Sequence, residues 1–146
     1  MSVCYVPWLH MHQPLVWLNG KIVSNLEKML NSKDSRENWD AKLMLRAYKN
    51  PVKYVEMLAK EGFKPKIMLD FSGILLESLL DFDERKLSEK IEVHGEKIGA
   101  IIETYKKVLK EFPSCIEFAG TAYSHCYFPA TPEEDWKLQI EAWRET

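Results

Sequence analysis

Short apolar segments alternate along this chain with longer segments that have the periodicity of amphipathic helices. The apolar segments predict strands over residues 2–9, 66–72 and 115–119. The first two are apolar at odd and even positions alike, which is typical of strands in a parallel sheet that helices cover on both faces. Polar residues lie at or after the carboxyl end of each strand.

The segments between and after the strands predict helices with apolar stripes. One begins with Asn50 as its N-cap and Pro51 at the first helical position, where the missing N–H of proline costs nothing, and Gly62 ends it. Two more are predicted, one over residues 73–80 and one that has apolar positions from Ile98 to Leu109 and ends near Phe112-Pro113.

A last helix is predicted after Thr131-Pro132-Glu133-Glu134, which has the N-cap threonine, first-turn proline and glutamate of a capping box. Its apolar stripe consists of Trp136, Ile140 and Trp143. Residues 31–38 are polar throughout and are predicted to form a solvated loop.

This order of strands and helices predicts an α/β fold with a parallel sheet and right-handed crossovers. Three strands cannot close a barrel, and the apolar stripe of the last helix continues almost to Thr146. We therefore expect the chain to be the front part of a larger domain, or a partner chain or a second copy to cover the open edge of its sheet.

The composition is that of an ordinary globular protein and excludes several classes. A chain of 146 residues with 46% hydrophobic and 29% charged residues can bury one core, so we expect one domain. The net charge of −2 offers no basic surface to nucleic acid. No apolar segment approaches the roughly 20 residues that span a bilayer, and the first residues do not resemble a signal peptide. We expect a cytoplasmic protein with neither nucleic acid nor membrane as its partner.

Three cysteines are odd in number and form no C-x-x-C pair: Cys4, Cys115 and Cys126. Neither a disulfide framework nor a cysteine zinc site is indicated, and buried reduced thiols are expected.

Candidate functional residues gather at the carboxyl ends of the predicted strands. Because side chains alternate along a strand, His10 and His12 point to the same side as Trp8. The carboxyl ends of neighbouring parallel strands open onto one crevice, so we expect the polar candidates to lie together. In chain order the candidates are Trp8, His10, His12, Gln13, Asp70, Ser72, Glu117, Thr121, Tyr123 and His125.

Each candidate also has a structural explanation. A lone histidine is often a satisfied structural residue, and Asp70 is in place to cap the helix that follows it. Trp8 could belong to the core, and Glu117 could be a buried acid paired with a histidine.

Two segments resemble signature regions of glycoside hydrolase family 57. Trp8-Leu9-His10-Met11-His12-Gln13-Pro14 resembles the first, in which a strand ends in His-Gln-Pro. Residues 116–125, which read IEFAGTAYSH, resemble the second together with Pro129. Residues 69–80 are similar to the family's second strand and the helix after it. The resemblance covers nearly the whole chain, but only the N-terminal part of the family's catalytic domain.

The resemblance implies a fold and a substrate class. Family members act on α-glucans as amylases, glucanotransferases, branching enzymes or pullulanases, on a pseudo-barrel of seven β/α units, with retention of configuration and no required metal. Retention needs a nucleophile and an acid/base whose carboxyl groups are about 5–5.5 Å apart. In the family both come from later strands. The resemblance therefore implies no catalytic residue and no cofactor in residues 1–146, and we expect this chain alone to be inactive.

By the same resemblance the candidates bind sugar, and the expected ligand is an α-glucan or another oligosaccharide. Glu117 would accept hydrogen bonds from sugar hydroxyls, the three histidines would surround the reacting sugar, and Trp8 would offer its ring face to a pyranose. The substrate-binding set consists of Trp8, His10, His12, Gln13, Asp70, Ser72, Glu117 and His125.

Two other hypotheses stay open. His-x-His after a first strand, with a later histidine and an aspartate, also forms divalent metal sites in hydrolases and carbohydrate deacetylases, and the ligands would be His10, His12, His125 and Asp70. Gln13-Pro14 and the spacing from Thr121 to His125 favour the metal-free family. Alternatively, the chain is a non-catalytic half that binds a glucan or a complementary chain.

Overall fold

The computed structural model of the protein describes residues 5–146, so Cys4 and the start of the predicted first strand lie outside it. The strands of the described residues are β1 (Trp8–Met11), β2 (Leu15–Leu18), β3 (Lys21–Ser24), β4 (Ile67–Phe71), β5 (Glu92–Val93), β6 (Glu96–Lys97) and β7 (Ile116–Phe118). The α-helices are α1 (Asn25–Leu30), α2 (Ser35–Lys60), α3 (Gly73–Glu84), α4 (Ile102–Glu111) and α5 (Glu133–Glu145).

Three strands form a parallel sheet in the order β1, β4, β7, so neighbours in the sheet follow one another along the chain. The register aligns Trp8 with Met68 and Glu117, and His10 with Asp70. This confirms the predicted α/β class and the parallel pairing. The seven-unit barrel stays a prediction, because the described residues form an open sheet of three parallel strands.

One face of this sheet packs on helices α2, α3 and α4. Leu69 and Phe71 of β4 are almost completely buried, and Phe71 contacts the ring of Tyr105 on α4 edge to face. Burial of each such side chain contributes about 1.5–3 kcal/mol, so this side of the sheet holds the core. The same cluster includes Leu45, Val52, Val55, Leu75, Leu79, Phe82, Val108 and Ile116.

The opposite face of the sheet is open in residues 5–146. It carries Trp8 and Glu117 at one level and His10 and Asp70 at the next, and Trp8 is 64% exposed. The apolar strands predict that helices cover both faces of the sheet. For the described residues this prediction is wrong. Apolar Trp8 and Met68 face this side, so the pattern of the sequence does not distinguish an open face from a covered one.

Helix α2 corrects the predicted helix start at Asn50. The helix is continuous through Pro51 and begins after Asp34, whose carboxylate accepts a hydrogen bond from the Arg36 N–H at 2.8 Å. Half of the predicted loop at 31–38, namely residues 35–38, is therefore helical. An interior proline costs about 3 kcal/mol, but the buried stripe continues across it at helical spacing and outweighs that cost. The stripe consists of Ala41, Leu45, Tyr48, Val52 and Val55.

Two β-hairpins were not predicted. Strands β2 and β3 are joined by Asn19-Gly20, both with positive φ, and β5 and β6 by His94-Gly95, also both with positive φ. Asn-Gly is a strong signal for this type of turn, because both central residues must take the left-handed conformation. The first hairpin follows directly on β1 and borders the end of the sheet where the candidate histidines lie.

Helix α4 begins later than predicted, because an acid from another helix caps it. Ile98 and Ile101 precede the helix, and the carboxylate of Asp83 accepts hydrogen bonds from the N–H groups of Ile101 at 2.9 Å and Ile102 at 2.6 Å. A cap supplied from distant sequence leaves no local signal. Helix α3 also extends past residue 80, to Glu84.

The predicted capping box at the start of α5 is wrong. The Thr131 hydroxyl donates to the carbonyl of Tyr127 at 3.0 Å, four residues back, and α5 starts at Glu133. The hydroxyl is therefore used by the 3-10 turn that precedes α5, over Phe128–Ala130.

Cys115 is buried and Cys126 is half-buried, and both are free thiols, as expected. Among residues 5–146, no helix is long and apolar enough to cross a membrane.

We predict that replacing Leu69 by alanine lowers the free energy of unfolding by about 2–5 kcal/mol, because the cavity would lie in the middle of the core. Denaturant unfolding followed by circular dichroism measures this. Leu138 on α5 is 64% exposed, and the matched change Leu138→Ala should cost no more than about 0.5 kcal/mol. Equal losses in the two variants would contradict the described core.

Candidate functional site

The first pair of site residues is His10 and Asp70, which the sheet register places side by side on the open face. Nδ1 of His10 lies 2.8 Å from Oδ2 of Asp70, and since a carboxylate only accepts, the imidazole N–H donates. This bond fixes the ring and leaves Nε2 of His10 for another partner. Asp70 does not cap α3, because the N-cap is Ser72, so that structural explanation of Asp70 is wrong.

His12 and Ser72 form the second pair, just beyond the strand ends. Nδ1 of His12 lies 2.8 Å from Oγ of the fully buried Ser72, a hydrogen-bond distance. The backbone continues the ladder here, because the Ser72 N–H donates to the carbonyl of Met11 at 3.1 Å. Tyr48 of α2 also donates its hydroxyl to the carbonyl of His12, at 3.1 Å. His12 is thus held on both its ring and its backbone.

His125 comes from the segment after β7 and completes a cluster of three imidazoles. Its ring centroid lies 4.3 Å from that of His12, with the planes 15° apart, and 4.5 Å from that of His10. A turn closed by the His125 N–H on the carbonyl of Ala122, at 3.0 Å, presents the ring. His125 has φ of 59°, a left-handed conformation that histidine tolerates better than most residues.

Burial and the neighbouring histidines lower the pKa of His12. Desolvation disfavours its charged form most, and repulsion from His125 and then His10 adds to this. The ring of His12 is therefore kept neutral at neutral pH, with one nitrogen that donates and one that accepts.

The segment that carries His125 is held by a contact between Tyr123 and Gly73 at the start of α3. A Cβ on Gly73 would lie 2.3 Å from Cδ2 of Tyr123, so only glycine fits there. The Tyr123 carbonyl accepts from the N–H of Ile74 at 3.2 Å, and its hydroxyl donates to Oε2 of Glu77 at 2.7 Å. Burial, together with the nearby Glu77 carboxylate, raises the pKa of Tyr123 to about 12.

Helix α5 holds the same segment from the other side. The indole N–H of Trp143 donates to the carbonyl of Phe71 at 2.7 Å, one hydrogen bond beyond the bond from the Ala119 N–H to the carbonyl of Leu69. The side chain of Gln139 accepts from the N–H and the hydroxyl of Ser124, at 2.9 and 2.8 Å. Trp143 thus has a structural role, whereas Trp136 and Ile140 of the predicted stripe are exposed.

A cavity of about 410 Å³ opens beside this cluster. His10, Asp70, Thr121, His125 and Tyr127 contribute to its lining. Within the described residues, Oδ1 of Asp70 is buried and has no hydrogen-bond partner. The cavity therefore combines imidazole groups with an unused carboxylate oxygen.

Three predicted site residues lie away from both this cavity and the histidine cluster. The Gln13 carbonyl oxygen accepts from Asn25 at 3.1 Å, and its amide faces the sulfur of Met44, so Gln13 joins β1 to α1 and α2. Trp8 and Glu117 are exposed on the open face, one level below His10 and Asp70. Exposure excludes Trp8 from the core, and Glu117 makes no ion pair with a histidine in the described residues.

The rings of the histidine cluster lie against one another in the described residues. No group of three or more His, Cys, Asp or Glu side chains in residues 5–146 is arranged to hold a metal ion. The rings of His12 and His125 stack face to face, whereas a metal is bound through lone pairs in the ring plane. The arrangement suits hydrogen bonding to a polar ligand.

The three histidines, Asp70 and Ser72 lie together, as the sequence predicts, but the positioning contacts of Gly73 and Trp143 were not predicted. Gly73 directly after a strand is a signal for close approach of another group, and this is how it acts here. The contribution of Trp143 has no local signal, because the carbonyl that it binds is 72 residues away.

We predict that Gly73→Ala displaces Tyr123 and with it His125, since the added methyl group overlaps the ring. The imidazole signals of His12 and His125 in NMR spectra should shift, because ring stacking determines them. Gly120→Ala is the matched control in the same segment, since a Cβ there would lie 3.7 Å from Trp143, an ordinary contact. Unchanged histidine signals in Gly73→Ala would contradict the role of this contact.

We predict that His12 makes the stability of the fold depend on pH. The folded pKa is lowered, so the unfolded chain binds the proton more readily, and stability is full above about pH 6.5 and falls as the pH drops below it. Denaturant unfolding between about pH 8 and pH 5 should show a smaller decrease in His12→Asn than in the wild type. His94→Asn, outside the cluster, should retain the decrease, and the same pH dependence in all three proteins would contradict the prediction.

Comparison with known proteins identifies the family. The family model described as Glycosyl hydrolase family 57 matches residues 6–146, which is essentially the whole chain. Neither the curated proteins nor the solved structures gave a significant match. The family match supports chemistry of the glycoside hydrolase or glucanotransferase type. With the motifs at β1 and β7 now in one site, this chain belongs to glycoside hydrolase family 57.

Proposed function

We propose that this chain forms the sugar-binding part of an α-glucan-acting, retaining glycosidase or glucanotransferase site. The observation that carries the proposal is the assembly of His10, His12 and His125 beside a cavity at the carboxyl ends of the strands. The family match covers both segments that supply these residues.

The chemistry of the cluster suits a neutral sugar. A neutral imidazole donates through one nitrogen and accepts through the other, and a sugar hydroxyl does both. Asp70 adds an acceptor oxygen that has no partner within the described residues. The cavity volume of 410 Å³ lies within the range of about 300–1,000 Å³ that is usual for small-ligand sites.

The reacting carboxylates are proposed to come from outside residues 1–146. Asp70 is bonded to His10, and Glu117 lies two residues lower on the neighbouring strand, so their Cα atoms are about 8 Å apart by strand geometry. The pairing of Asp70 with His10, rather than with a second carboxylate, supports this proposal. The outer edges of β1 and β7 are free to pair with further strands. This supports a larger sheet that another segment or chain completes.

We predict that the chain binds maltotetraose and that His125→Ala weakens this binding about fivefold or more, because one hydrogen-bonding ring is lost. Isothermal titration calorimetry measures the affinity. The matched control is His94→Ala, whose ring contacts Trp39 and lies outside the cluster. Binding that is equally strong in both variants would contradict the proposed site.

Binding should also survive a chelator, and the purified protein should contain no stoichiometric zinc. One zinc per chain, lost in His10→Ala, would instead favour the metal-dependent hydrolase or deacetylase.

The chain alone should not hydrolyse α-glucans. If the chain hydrolyses α-glucans and Glu117→Gln abolishes this activity, the Glu117 carboxylate takes part in the reaction. That result would overturn the proposal that the reacting carboxylates come from outside residues 1–146.

A further inference from the structure

A second cleft lies between the β2–β3 hairpin, α1 and α3, on the far side of Tyr123 from the histidines. Its volume is about 400 Å³. One wall is apolar, formed by Leu15 and Ile22, and the other is polar, formed by Glu27, Glu77 and Arg85 together with Asp81.

The apolar wall continues into an exposed tryptophan. Trp17 pairs with Ile22 across the hairpin, and alternation places Leu15 and Ser24 on the same face. Trp17 is 71% exposed and Ile22 63% exposed. An exposed, rigid ring beside an aliphatic side chain forms a flat apolar platform.

The polar wall is fixed by an ion pair. Arg85 donates two hydrogen bonds to the carboxylate of Glu27, at 2.9 and 2.8 Å, and this pairing lowers the pKa of Glu27. The cleft therefore presents three carboxylates, those of Glu27, Glu77 and Asp81, against a single guanidinium. The excess of acceptors and negative charge favours a neutral ligand rich in hydroxyl donors and disfavours an anion such as phosphate.

An unused hydroxyl also lines the cleft. Ser24 is only 7% exposed, and within the described residues its Oγ has no hydrogen-bond partner. A buried hydroxyl without a partner costs about 1–3 kcal/mol, so a ligand hydroxyl that pairs with Ser24 would gain a favourable contact.

We propose that this cleft is a second saccharide subsite, in which Trp17 and Ile22 contact the apolar face of a pyranose while Ser24 and the carboxylates bind its hydroxyls. This proposal rests on the proposed function in one respect, that the subsite and the histidine site bind the same α-glucan. Tyr123 connects the two, because it donates to Glu77 in the cleft and lies two residues before His125. A long glucan would contact the hairpin and the histidine cluster together.

The test is a titration with maltoheptaose, followed by NMR on protein labelled at its tryptophan indoles and histidine rings. The Trp17 signal, assigned through Trp17→Phe, should shift to saturation. Trp17→Ala should weaken the affinity about tenfold, whereas Trp39→Ala should leave it unchanged, because the Trp39 ring contacts His94 and does not line the cleft.

Ser24→Ala separates ligand binding from a structural role. Removal of an unpaired buried hydroxyl should leave the midpoint of thermal unfolding equal or higher, yet the affinity for maltoheptaose should fall about threefold or more. Lower stability with unchanged affinity would overturn the proposed subsite.

The other outcomes separate the two proposals. Shifts of the histidine signals without the Trp17 signal would overturn the subsite and support the histidine site. Shifts of Trp17 alone would support the subsite and contradict the histidine site, and no shifts at all would contradict both. A Trp17 signal that changes with protein concentration in the absence of sugar would identify the hairpin as an interface between copies, and would overturn the subsite.

Discussion

The register between β1 and β4 is the constraint on which the rest of the structure depends. It places His10 beside Asp70 on the open face and Met11 beside Phe71 in the core. A slip by one residue would turn the core residues outward and the histidine inward, so the burial that stabilises the sheet also selects the arrangement of the site. The hydrogen bond of 2.8 Å between His10 and Asp70 follows from this pairing. Stability and site geometry are therefore not independent here.

A second constraint brings the third histidine to the first two. Strand β7 is short, and after it the chain turns across the end of β4, where Tyr123 packs on Gly73 and Trp143 donates to the carbonyl of Phe71. These contacts use backbone groups at the end of β4 that would otherwise lack partners, so they contribute to stability as well as to the position of His125. The same Tyr123 reaches Glu77 and separates the histidine cluster from the cleft beneath the hairpin.

Much of this site could be predicted from the sequence, because strand ends and alternation are local properties. The positions of His10, Asp70 and Ser72 on one side followed from period-two alternation in two strands and from parallel pairing. The helix start at Asn50 was wrong, because a local proline signal was weaker than the buried stripe that runs through Pro51. The side chain of Gln13 lies against Asn25, and the cap of α4 comes from Asp83. Both contacts join distant parts of the chain, so no local sequence pattern predicts them.

The central claim is that the three imidazoles bind a sugar, and a crystal structure of the chain grown with maltotetraose tests it most directly. The account predicts sugar hydroxyls within about 3 Å of the free ring nitrogens of His10 and His125, and of the unpaired oxygen of Asp70. A structure in which the oligosaccharide avoids this cavity, or in which the three rings turn to converge on a bound metal ion, would contradict it.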